Sequence, residues 1–163
     1  HGLVLQMFNH GINIVAMWVV ADIVEKQTGV TSISGLGGVA KKAPVLAIFA
    51  VIAAFANIAL PLTNAFVGEF MIFNGLYQFK PWIAALAGLS IILSAVYTLN
   101  MIKNVFFGNI ASVVTGFTDV SKGQAIVLVS LTLLIFAVGV YPDPFFKMIY
   151  ETVGLLVNRF VTI

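Results

Sequence analysis

The stretch ALPLTNAFVGEF, residues 59–70, sets a proline, two helix-disfavouring polar residues, a glycine and a carboxylate inside an apolar run. APVLAIFAVIAAFANI precedes it and MIFNGLYQF follows it, both almost wholly apolar. The run from Pro44 to Phe79 counts 36 residues. As one unbroken helix it would be ~54 Å long, against a hydrocarbon core of ~30 Å. Pro61 resolves the excess. Proline lacks a backbone donor, clashes with the preceding turn and pushes the residue before it out of the helical region. The sequence therefore predicts two helical pieces joined by an irregular stretch over 60–65. Irregular backbone at membrane depth persists only where it is buried in protein or lines a wet cavity.

Working outward, 61% of the 163 residues are hydrophobic, only 9% are charged, and the mean hydropathy is +1.09. A soluble domain carries about 25% charged residues. Eight basic and six acidic side chains are too few to cover a water-facing surface. The expected fold class is all-α: a polytopic transmembrane bundle of four spans, one of them broken, with a C-terminal amphipathic helix. The net charge of +2 is small and scattered, which excludes nucleic acid as a partner and leaves the lipid bilayer. The absence of cysteine excludes disulfides, thiolate metal sites and iron–sulfur ligation. The first residue is His1 and apolar residues follow at once, so the chain is expected to be the C-terminal part of a longer protein.

The spans are expected at 2–23, 44–79, 81–107 and 123–141, within a single domain 1–163. The loops carrying Lys26, Lys41, Lys42, Lys103 and Lys122 face one side; Lys80, Lys147 and Arg159 face the other. Five against three places the first set in the cytoplasm. The tail 144–163 has helical periodicity, with Phe145, Ile149, Val153, Leu156 and Phe160 on one stripe and Lys147, Glu151, Asn158 and Thr162 elsewhere. It is expected to lie in the interface or to dock on a neighbour.

Two constellations stand out against this background. Glu69 precedes Lys80 by 11 residues, or ~16 Å of helix, which sets it near the bilayer midplane. A charged acid there costs at least ~2.5–3.5 kcal/mol. Glu69 is therefore expected to exchange a proton; the plainer alternative is a structural acid bonded to a neighbouring helix. A half-helix starting near 66 would also point free N–H groups into the break, close to Asn64 and Glu69. Secondary transporters build ion sites on discontinuous helices in this way. The second constellation is LQMFNHGIN, where Gln6, Asn9, His10 and Asn13 recur at i, i+3, i+4 and i+7 on an apolar helix. Histidine titrates near neutrality and can pass a proton between its two ring nitrogens. Its competing role, like that of the amides, is hydrogen bonding between helices.

Ser90, Ser94 and Tyr97 share a face and read as helix contacts. Residues 35–38, GLGG, lack the lysine, spacing and strand of a phosphate cradle and read as a turn. Neither a metal-ligand cluster nor a nucleophile motif is present in the sequence.

NHG at 9–11, GLGGVAKKAPVLA at 35–47 and LPLTNAFVGEF at 60–70 resemble the antiporter-like membrane subunits of respiratory complex I. AVYTLNMIKNVFFG at 95–108 and YPDP at 141–144 extend the likeness over the whole chain. The resemblance implies the last four of fourteen transmembrane helices. It also implies proton translocation through a chain of buried ionisable groups. It identifies Glu69 with the residue at the outlet of the channel, in the branch that carries glutamate there instead of its sisters' lysine. His10 corresponds to the histidine linking central lysines to that outlet. The residues' own pattern, apart from the resemblance, leads us to expect Gln6, Asn9, Asn13 and Asn64 as a supporting polar path. The family often has glycine where Ala59 and Leu62 stand. No cofactor or metal is implied for this chain; NADH, flavin, iron–sulfur clusters and quinone belong to partner subunits. The implied partners are the other complex I membrane subunits, including the sister antiporter-like ones, in the bacterial inner membrane. Two alternatives remain beside this: a subunit of a multisubunit cation/proton antiporter, and a purely structural membrane module.

Overall fold

A computed structural model describes residues 1–161, with side chains to 159. Six α-helices carry the fold: α1 (Gly2–Thr28), α2 (Pro44–Asn57), α3 (Asn64–Phe79), α4 (Pro81–Phe106), α5 (Lys122–Val140) and α6 (Asp143–Val161). α1, α4 and α5 are each long and apolar enough to cross a membrane. The expected 44–79 span is α2 followed by α3, so the all-helical bundle with one broken helix is the observed architecture.

Local chemistry sets the ends. α1 runs to Thr28, five residues past the expected Ile23, because Asp22, Glu25 and Lys26 are polar without breaking the helix. Gly29 stops it with φ 68, its N–H bonding Glu25 O at 2.7 Å. α2 begins on Pro44 and α4 on Pro81, where the missing N–H costs nothing. Lys80, forced extended by the following proline, separates α3 from α4. Ser121 and Gln124 form a reciprocal capping box that opens α5 at Lys122.

The interruption occupies 58–63, and two turn motifs build it. α2 ends as a Schellman cap: Ala59 N bonds Ala56 O at 3.2 Å, Leu60 N bonds Phe55 O at 3.0 Å, and Ala59 lies in the left-handed region at φ 54. A turn follows at once, with Pro61 and Leu62 at its centre and Thr63 N bonding Leu60 O at 3.1 Å. Leu62 has φ 77, the positive value that position i+2 of a type II turn requires. Ala59 and Leu62 are thus the two non-glycine residues with positive φ among those described. They are also the two positions where the sequence resemblance points to glycine. α3 restarts at Asn64, two residues earlier than expected, since Thr63 is already extended in front of it.

The helices pack through small residues. Ala50, Ala53, Ala54 and Ala56 are buried on α2, which suits a bundle whose contacts in lipid depend on close approach. Gly139 of α5 lies directly on the backbone of Leu62, Thr63 and Asn64, so α5 covers one side of the interruption. The 29–43 and 107–121 loops lie together: Gly38 N bonds Phe107 O and Ala111 N bonds Gly37 O, both at 3.1 Å. Asp119 accepts from Val45 N at 2.9 Å and Leu46 N at 3.0 Å, capping α2 from a distant loop. Gln27 brackets Thr118 beside it, donating to its carbonyl at 3.0 Å and accepting from its N–H at 2.9 Å.

α6 docks on the start of α1. Phe8 meets Phe145 at 5.0 Å between ring centroids, and His1 stacks on Tyr150 at 5.5 Å. Phe145, Ile149 and Val153 of the expected stripe are half-buried, whereas Leu156 is exposed. The side chain of Phe160 and the last two positions of the expected tail, 162 and 163, lie outside the described residues.

Candidate functional site

The interruption divides its surroundings into an open side and a closed side. On the open side α1, α3, α4 and the end of α2 enclose a cleft of about 570 Å³. Gln6 and His10 enter it from α1, Asn57 from α2, Glu69 from α3, and Ser90, Ser94 and Tyr97 from α4. Glu69 is half-buried on α3, one turn beyond the restart of the helix. Gln6 Nε2 donates to Glu69 Oε1 at 3.2 Å and fixes the carboxyl in the cleft. Gly68 allows that contact: a Cβ there would overlap Gln6 Oε1 and stand 3.1 Å from its Cβ. Ser94 Oγ donates to the Tyr97 hydroxyl at 3.3 Å, and Asn57 Nδ2 to Thr98 Oγ1 at 3.5 Å. His10 is exposed on this chain, at the mouth of the cleft.

The closed side takes the rest of the α1 stripe. Asn9 and Asn13 are 0 and 2% exposed and do not line the cleft. Asn9 Nδ2 donates to Asn64 O at 2.7 Å, and Asn13 Nδ2 to Ala56 O at 3.0 Å. α1 therefore grips the last turn of α2 and the first residue of α3. Successive helical residues are 100° apart, so Asn9 and His10 cannot share a direction. The single polar stripe of the sequence splits between the two sides. Asn64, expected on the same path as Glu69, sits with Asn9 on the closed side.

Sequence reasoning gave no role to Asn57 and assigned Ser90, Ser94 and Tyr97 to helix contacts. Their i, i+4, i+7 spacing marks a polar face, but only the packing shows that Glu69 lies across from it. The arrangement can do one kind of chemistry. A carboxyl, an imidazole and three hydroxyls in one cleft form a set of groups that accept and donate protons. Among the described residues no cluster of histidine and acidic side chains has metal-site geometry.

Taken together, these features define a polytopic membrane protein whose polar cleft is organised around a discontinuous helix. The family described as NADH:quinone oxidoreductase/Mrp antiporter, TM, matches residues 1–96, and the chain belongs to it. It is 34% identical over 160 residues to NADH-quinone oxidoreductase subunit M of Rickettsia prowazekii, covering 98% of this chain and 33% of that one. The subunit M of Mycobacterium tuberculosis strain H37Rv is 34% identical over 153 residues, covering 93% of this chain and 28% of the relative. Among solved structures, respiratory complex I from Thermus thermophilus with bound NADH contains a similar chain. It has a TM-score of 0.70 and 33% identity, with 76% of this chain and 26% of that chain covered. The chain thus spans about a third of the length of these relatives.

Proposed function

We propose that this chain forms the outlet part of a proton-translocating membrane subunit of NADH-quinone oxidoreductase. One observation carries the reading: Glu69 is held half-buried by Gln6 in a cleft that also contains His10, Ser94 and Tyr97, beside a broken helix. Glu69 takes and releases the proton. His10 passes it on by accepting at one ring nitrogen and releasing from the other. The hydroxyls of Ser90, Ser94 and Tyr97 order water between them, and Gln6 keeps the carboxyl aimed into the cleft. Asn9, Asn13 and Asn64 support the path by holding the interruption in shape.

No redox chemistry is assigned to this chain; NADH, flavin, iron–sulfur clusters and quinone are placed in partner subunits. The partners are the other membrane subunits of the complex, its sister antiporter-like subunits included, in the bacterial inner membrane, where the bacterial relatives fit. The family also covers Mrp antiporters, but the relatives named subunit M favour the redox complex over that alternative.

The test is Glu69→Gln in the full-length subunit, assembled in membrane vesicles. Assembly should persist, because glutamine keeps the shape, while NADH-driven proton uptake falls at least about tenfold. Unchanged uptake would remove Glu69 from the path.

A further inference from the structure

The three asparagines of the closed side have spent their donors and kept their acceptors. Asn9 gives its amino group to Asn64 O at 2.7 Å, Asn13 to Ala56 O at 3.0 Å, and Asn64 to Asn9 O at 3.4 Å. Those bonds fix the sense of each amide, because turning one over would set carbonyl against carbonyl. Each Oδ1 therefore faces inward as an acceptor, and none meets a donor among the described residues. The side chains are 0, 2 and 0% exposed. This chain alone already closes around them, so no neighbouring protein or lipid can reach those oxygens. Buried polar atoms of this kind are satisfied by something small.

We propose that Asn9, Asn13 and Asn64 form a sealed binding site for ordered water, on the side of the interruption away from Glu69. Water matches the chemistry: it brings two donors to a set of neutral acceptors. Asn9 and Asn13 are separated by ~6 Å of helical rise. A single water, whose two O–H donors diverge by roughly 105°, reaches acceptors only about 4.5 Å apart at about 2.8 Å each, so Asn13 takes a water of its own beside the one between Asn9 and Asn64. A cation fits worse. Hard cations such as Ca²⁺ gather about six to eight oxygens, and a charge here would be buried without a carboxylate to balance it. With the oxygens satisfied, the amides lock Ala56 O and Asn64 O to α1. This site stands independently of proton transport, since water is held there whether or not Glu69 carries protons.

The test is a high-resolution cryo-EM map of the full-length subunit in its native membrane assembly, prepared once in sodium and once in rubidium buffer. Peaks about 2.8 Å from the three Oδ1 atoms, equal in both buffers, are the expected result. Asn13→Leu, close to asparagine in shape, should lose the peak at position 13 and keep the one between Asn9 and Asn64. Two findings would overturn the proposal. One is bare oxygens in a map that resolves other waters of the same subunit. The other is density that strengthens in rubidium, which would make this a cation site. The wild-type maps decide even if the variant fails to assemble.

Discussion

Gln6 of α1 and Glu69 of α3 are joined by a 3.2 Å hydrogen bond at a crossing where Gly68 faces Gln6 without a Cβ. Gly68→Ala would place a methyl group on Gln6 Oε1, 3.2 Å from Gln6 Cα. The side chain must swing away and release the carboxyl. Proton uptake in vesicles should fall by about tenfold, within what a 1 Å misplacement of a reacting group costs. Gly75→Ala is the control, because a Cβ there meets nothing within 4 Å. Equal uptake in the two variants would show that Gln6 does not position Glu69.

The interruption carries strain that glycine would relieve. Ala59 and Leu62 hold φ 54 and φ 77, a region that costs an L-residue roughly 1–2 kcal/mol. Leu62 is 65% exposed, so its side chain contributes little packing within the chain. Leu62→Gly and Ala59→Gly should each stabilise the solubilised full-length subunit by about 0.5–1 kcal/mol, after the entropic cost of glycine. Thermal unfolding in detergent reads the difference. A lowered midpoint for both would mean that these residues are not strained in the native fold.

The interruption was legible because length and Pro61 point the same way: 36 apolar residues exceed one crossing, and the proline shows where the excess is absorbed. Its form was less legible. A Schellman cap with alanine and a type II turn with leucine both depart from the residues those motifs favour, so local propensity does not announce them. The end of α1 lies past the apolar run, since hydropathy stops at Ile23 whereas the backbone helix runs on to its cap at Gly29. Glu69, Gln6 and His10 could be singled out as polar groups in apolar helices. The division of Asn9 from His10, and the place of Ser94 and Tyr97 opposite Glu69, depend on how α1, α3 and α4 cross. Periodicity along one helix does not contain that information.

Asp119 is a cap supplied across 74 positions, holding Val45 N and Leu46 N with its two oxygens. Asp119→Asn keeps one acceptor and Asp119→Ala keeps none. Stability should fall in the order Asp, Asn, Ala, with Ala about 0.5–2 kcal/mol below the native residue. Hydrogen exchange at the start of α2 should rise in the same order. An unchanged exchange rate in Asp119→Ala would show that the loop does not cap α2.

The most direct measurement follows the proton on Glu69 itself. Infrared difference spectra of the assembled full-length protein, recorded between the resting and NADH-driven states, report whether this carboxyl gains or loses its proton. The expected result is a carboxylic C=O band that changes with turnover and disappears in Glu69→Gln. A difference spectrum identical in native and Glu69→Gln protein would show that Glu69 keeps one protonation state throughout, and would contradict its role as the proton-exchanging group beside the broken helix.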